Sequence, residues 1–194
     1  MIPTDSEFAD DSVYNTAGTF SFQPRTTFNV DAASFGFENG HSFTLGWDLP
    51  SILPNLENID FSSLDRSDIE IRNLGNGVTY EFTSAFSPWY TNEVTFGLTA
   101  PSRGALPDGN YRVSIVGEVL SETGLVLNQG DVLDFFVLAG DANRDRVVNL
   151  QDFLILRGNF NGSESVFSEG DFNYDGSVDL ADFLILRSNF NTTV

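Results

Sequence analysis

Cysteine is absent, and with it every disulfide and every thiol mechanism. Lysine is absent too, which removes Schiff-base chemistry and phosphate-loop lysines. The single histidine, His41, opens an alternating stretch beside a glycine turn. No partner to orient it as a base is readable, so it is expected to be an ordinary loop or edge residue. Positive charge is scarce: nine arginines face 28 acids, for a net charge of −19. Such a chain repels nucleic acid and anionic membrane surfaces, and neither is an expected partner. No apolar run approaches the roughly twenty residues of a membrane span. No Gly-x-Ser-x-Gly elbow occurs. Neighbouring acids such as Asp65, Asp68 and Glu70 leave a glycosidase pair open, but among so many acids proximity carries little weight. The expected class is not an enzyme.

What is present points to a folded, mostly β chain. Apolar residues make up 41% of the sequence and phenylalanine alone occurs 19 times, enough for one moderate domain and a small one. Residues 1–19 form an acidic lead-in without the basic start and apolar centre of a secretion signal, so a secreted protein of this sequence would be a mature form or a fragment. Val13-Tyr14 and Thr19–Phe22 have strand character. From Phe20 to about Leu138 apolar and polar residues alternate with period two, the pattern of half-buried strands. The candidates are 19–23, 26–31, 41–48, 68–73, 77–84, 92–99, 110–117 and 131–138, separated by turns such as Gly75-Asn76-Gly77 and Pro107-Asp108-Gly109-Asn110. The insertion 49–67 reads as a loop with one helical turn. Short strands at this spacing predict a β-sandwich over residues 20–139, with a barrel as the alternative.

The C-terminal quarter is a duplication. Residues 141–161 and 171–191 are identical at 14 of 21 positions, so one unit has been built twice. Side-chain oxygens fall at positions one, three, five, nine and twelve of each copy. They are Asp141, Asn143, Asp145, Asn149 and Asp152, then Asp171, Asn173, Asp175, Asp179 and Asp182. Ca²⁺ takes six to eight oxygens, and a twelve-residue loop supplies them at this spacing, with a backbone carbonyl from position seven, here Val147 and Ser177. One such loop alone would read equally well as an acidic turn capping a helix; two in register, each followed by Phe-Leu-Ile-Leu-Arg, do not. The apolar Val148 and Val178 at position eight suit a short contact pairing the loops. Helices are expected over 150–160 and 180–190.

Residues 140–191 resemble the dockerin type I modules, paired Ca²⁺ loop–helix units. The resemblance rests on Asp-x-Asn-x-Asp, on aspartate at position twelve and on the lack of an entering helix before Asp141. It implies two Ca²⁺ sites formed by the residues named above and a cohesin-like receptor as partner. Two features depart from it: Arg146 stands where the turn favours glycine, which Gly176 supplies in the second copy, and Leu150-Gln151 and Leu180-Ala181 replace the usual Ser/Thr pair. The first loop holds three carboxylates and the second four, so the second is expected to bind more tightly. More weakly, Leu106–Val113 and Asp134–Val137 resemble bacterial surface-protein Ig-like domains.

The fold expectation is therefore mainly β: an Ig-like β-sandwich followed by a small α-helical dockerin-like calcium-binding module over 140–194. Phe135–Leu138 runs into Ala139-Gly140-Asp141 with no Pro/Ser/Thr tether, which predicts a fixed joint. Such a molecule is expected outside the cell or on its surface, where Ca²⁺ is plentiful. It would self-associate, through strand addition by residues 12–23 or through apolar helix surface left over, or dock onto a receptor. A carbohydrate platform at Trp89 and Tyr90 is the third possibility, and Trp47 reads as core. Asn161 and Asn191 begin Asn-x-Ser/Thr sequons.

Overall fold

The computed structural model describes residues 27–47, 60–87, 93–98 and 106–194, and the backbone of 12–14 and 20–22. The proposed Trp89/Tyr90 platform and residues 49–59 of the long insertion lie outside these. Twelve strands occur in chain order: β1 (Ser12–Tyr14), β2 (Phe20–Phe22), β3 (Thr27–Phe28), β4 (Val30–Gly36), β5 (Ser42–Trp47), β6 (Ile69–Asn73), β7 (Thr79–Tyr80), β8 (Phe82–Phe86), β9 (Glu93–Leu98), β10 (Gly109–Ile115), β11 (Val126–Leu127) and β12 (Gly130–Val137). Two helices follow, α1 (Leu150–Gly158) and α2 (Leu180–Ser188).

Ten strands form three sheets. Two are four-stranded, in the orders β12-β10-β6-β7 and β4-β5-β9-β8, and every neighbour pairing in them is antiparallel. A parallel pair, β3 with β11, makes the third. The alternation read from the sequence decides which side of each strand is buried. Phe43, Leu45 and Trp47 of β5, Val94, Phe96 and Leu98 of β9, Ile69 and Ile71 of β6, and Tyr111, Val113 and Ile115 of β10 all enter one core. Phe43 and Phe96, opposite each other in the register, stack at 4.7 Å, and Phe35 of β4 stacks on Phe135 of β12 at 4.1 Å, joining the two sheets. Trp47 is buried in this core, as its place in the alternation predicts.

Two expectations needed correction. The strand predicted over 77–84 is two: β7 pairs with β6, and β8 pairs with β9 of the other sheet. A strand that crosses between facing sheets keeps its alternation, because both inner faces look onto the same core, so the crossing leaves no mark in the pattern. The strand predicted to end at residue 31 is β3 followed by β4, which continues to Gly36; Asp31-Ala-Ala-Ser has poor strand composition, and pairing with β5 supplies what composition does not. The structure also has two separate four-stranded sheets and no closed barrel among the described residues. The helical turn expected in the insertion is a short 3-10 turn, Arg66–Asp68.

A second cluster lies beyond β12. Leu138, Ala142, Val148, Leu156, Phe167, Phe172, Val178 and Leu186 are buried together, and Phe37, just after β4, and Phe136 of β12 pack against them. Each helix is two residues shorter than expected. The amide of Asn159 or Asn189 still reaches helix carbonyls, and Asn161 and Asn191 then turn the chain at positive φ (66° and 64°).

Candidate metal centre

Both loops fold on the same hydrogen-bond skeleton. Position one is buried: Asp141 accepts the amides of Asp145 and Arg146 (3.1 and 2.9 Å), and Asp171 those of Asp175 and Gly176 (3.1 and 2.8 Å). Position twelve is buried as well. Asp152 accepts from the amides of Asn143 and Asn149, and Asp182 from those of Phe172, Asn173 and Asp179. Position five accepts two residues on, Asp145 from Val147 and Asp175 from Ser177, both at 3.0 Å. Asn143 and Asn173 at position three accept from the position-five amide and donate to its carboxylate. Asn149 and Asp179 at position nine cap α1 and α2, each accepting the amide two residues on at 2.7 Å.

The backbone twists alike in both copies. Positions four and six are left-handed: Arg144 at φ 59° and Arg146 at 71°, Tyr174 at 60° and Gly176 at 85°. The departure of Arg146 from glycine therefore leaves the turn intact, at the cost of a side chain in a region that disfavours one. Burial pushes the carboxyl groups of Asp141 and Asp182 above the usual carboxylate range, although amide donors oppose this. A nearby positive charge would relieve that cost.

The copies interlock. Val148 exchanges backbone hydrogen bonds with residues 191 and 192, beyond α2, and Val178 with residues 161 and 162, beyond α1. The position-eight residues thus pair through their backbone with the tail of the opposite half, while their side chains lie in one buried cluster. Gly140 and Gly170, just before each loop, cross in the same way: a Cβ on Gly140 would lie 3.1 Å from the Leu186 Cα, and one on Gly170 2.9 Å from the Leu156 Cα.

The donor set fits a hard divalent cation. All the side chains at ligand spacing offer oxygen, and a carboxylate that accepts one or two N–H bonds keeps lone pairs to spare. Positions one and twelve form the buried floor, while Asn143, Asp145 and Asp175 are reached by solvent. Among the described residues, no three carboxylate or imidazole groups converge closely enough to hold a metal by themselves. Amide and carbonyl oxygens would have to complete either site: Asn143, Asn149 and the Val147 carbonyl in one, Asn173 and the Ser177 carbonyl in the other.

The side chains at the non-liganding loop positions meet the sheets, which the sequence did not reveal. The Arg144 guanidinium lies 4.0 Å over the Phe136 ring and 4.3 Å over Phe37, and donates to the Phe136 carbonyl. The Arg146 guanidinium lies 4.3 Å over the same Phe136 ring and donates to Asn110 Oδ1. Tyr174 Oη is 3.0 Å from His41 Nε2, while His41 Nδ1 accepts the Leu106 amide, which places the neutral ring's proton on Nε2. Burial, aided by Arg144, lowers the His41 pKa from 6.5 to about 4. Glu38 accepts the amides of Phe167 and Ser168, and Asp108 that of Ala139. His41 is thus a buried joint residue, not the loop or edge histidine expected. The glycine-to-arginine departure was the one signal in the sequence that this face is in use.

No curated protein matches the chain. Among solved structures, the N-terminal part of the bacterial S-layer protein SbsC is similar at 15% identity with a TM-score of 0.43, over 58% of this chain; the match spans only 24% of that structure. Residues 139–191 match the family model of the dockerin type I domain, a span that coincides with the duplicated loop–helix unit.

Proposed function

We propose that the protein is a non-catalytic, calcium-stabilised module of the cell exterior, in which an Ig-like sandwich (residues 20–139) carries a dockerin-like unit (140–194) on a fixed joint. Type I dockerins bind calcium, and here Ca²⁺ would be held by Asp141, Asn143, Asp145, Val147, Asn149 and Asp152, and by Asp171, Asn173, Asp175, Ser177, Asp179 and Asp182. The observation that carries this reading is the repeated skeleton, with position one and twelve carboxylates buried and aimed by amides in both copies. The unit serves as an anchor. Leu150, Leu154, Leu180 and Leu184 leave half or more of their surface on its exterior, and a cohesin-like receptor would cover them. No helix among the described residues is long and apolar enough to cross a membrane.

Isothermal titration calorimetry checks the metal reading. Two Ca²⁺ should bind per chain, the 171–182 loop more tightly, and saturating Ca²⁺ should raise Tm by about 5–10 °C over EDTA. Absence of heat, with identical melting in EDTA, would remove the reading.

A second reading is self-assembly. The strand-donating segment predicted over 12–23 folds as a ribbon, β1 on β2, and among the described residues neither strand joins another sheet. Such a ribbon offers strand edges to a second copy.

A further inference from the structure

The first loop carries two positive charges of its own, Arg144 and Arg146, beside Asp141 and Asp145. In open solvent these guanidinium groups would bind the carboxylates and compete with a divalent cation. Instead both are drawn onto aromatic faces of the sheets, Arg144 between Phe136 and Phe37, and Arg146 over Phe136 with Asn110 as acceptor. The left-handed backbone at positions four and six aims them there. The second loop has no arginine to remove; its equivalent positions hold Tyr174 and Gly176.

We propose that the Phe37/Phe136 face is a sink for the first loop's own cations, so that seating of the loop unit on the sheets and divalent-cation binding at residues 141–152 form one linked equilibrium. The inference rests on the calcium reading above. Linkage is reciprocal: whatever unseats the joint weakens the first site, and whatever empties the first site loosens the joint. Arg144 and Arg146 are positioning residues in this scheme and touch no metal.

The test uses sheet-side variants of the full chain that leave every loop residue in place. Phe37→Leu/Phe136→Leu keeps apolar bulk while removing the aromatic faces, and Asn110→Ala, a milder change, removes the Arg146 acceptor. Calcium calorimetry should find the first site weakened about tenfold in the double variant, within the usual range of site–site coupling, with the second site unchanged. Adding Arg144→Met and Arg146→Gly to the double variant should restore the first site, because the competing charges are gone. In the wild type, chelator should speed hydrogen exchange at the Phe167 and Ser168 amides, which bond to Glu38 across the joint. Wild-type affinity at the first site in both sheet-side variants, or no recovery when the arginines are removed, overturns the linkage while leaving the calcium reading standing. A wild-type chain that binds no Ca²⁺ overturns both.

Discussion

His41 shows what one residue gains from its surroundings. In the sequence it is a lone histidine with no partner. In the fold it accepts the Leu106 amide and donates to Tyr174, with Arg144 nearby, and its pKa falls to about 4. The unfolded chain takes up the proton near pH 6.5 and the folded chain only near 4. His41 therefore contributes stability that is complete above pH 6.5 and drains away as pH falls toward 4, on the order of 3 kcal/mol. The carboxyls of Asp108, Asp141 and Asp182 act in the opposite sense, since desolvation raises their pKa values and so favours the folded state as they protonate. Urea titrations in chelator from pH 7.5 to 4.5 isolate the histidine. The gap between wild type and His41→Gln should be widest at pH 7.5 and shrink toward 4.5; a constant gap would mean that His41 takes up its proton at the same pH in the folded and unfolded chain.

At the scale of elements, the two loop–helix copies are one interlocked unit. Gly140 lies against the backbone of α2 and Gly170 against that of α1, both at positive φ (96° and 109°). Alanine at either position meets backbone as well as conformational strain, so Gly140→Ala and Gly170→Ala should each cost more than about 1 kcal/mol, measured by thermal melting in saturating Ca²⁺. Gly176→Ala is the control: its φ is also positive (85°), but no atom lies within 4 Å of the added Cβ, so its cost should be smaller. The repeat told where ligand oxygens and helix starts would fall, because both follow from spacing along a short segment. It did not tell that Val148 pairs with the tail of the other copy, since that depends on how two segments thirty residues apart are arranged.

For the whole molecule, the question is what covers the apolar helix surface. Packing within the chain takes up part of it. Leu156 and Leu186 are buried and Phe153 and Phe183 half-buried, whereas Leu154 and Leu184 are about half exposed. Receptor docking and self-association can be separated by light scattering coupled to size exclusion in Ca²⁺. Leu154→Arg/Leu184→Arg should leave melting unchanged and abolish binding to a cohesin-like receptor. If the chain itself assembles, deletion of residues 1–18 should return it to a monomer; assembly that survives the deletion would remove strand addition as its cause.

The sequence by itself determined what is written in short spans: strand faces from period-two alternation, two oxygen-rich loops from their repeat, and helix starts at Leu150 and Leu180 from the apolar run that follows each loop. It also determined what chemistry is absent, because missing cysteine and lysine need no fold to interpret. Only the tertiary structure decided which sheet each half of residues 77–84 joins, that His41 is buried and neutral, and where Arg144 and Arg146 go. These depend on groups tens of residues apart in the chain, such as Arg144 over Phe37 and Tyr174 against His41. A linear pattern records how a residue relates to its neighbours along the chain, whereas desolvation and ring contacts depend on which distant residues folding brings within a few ångströms.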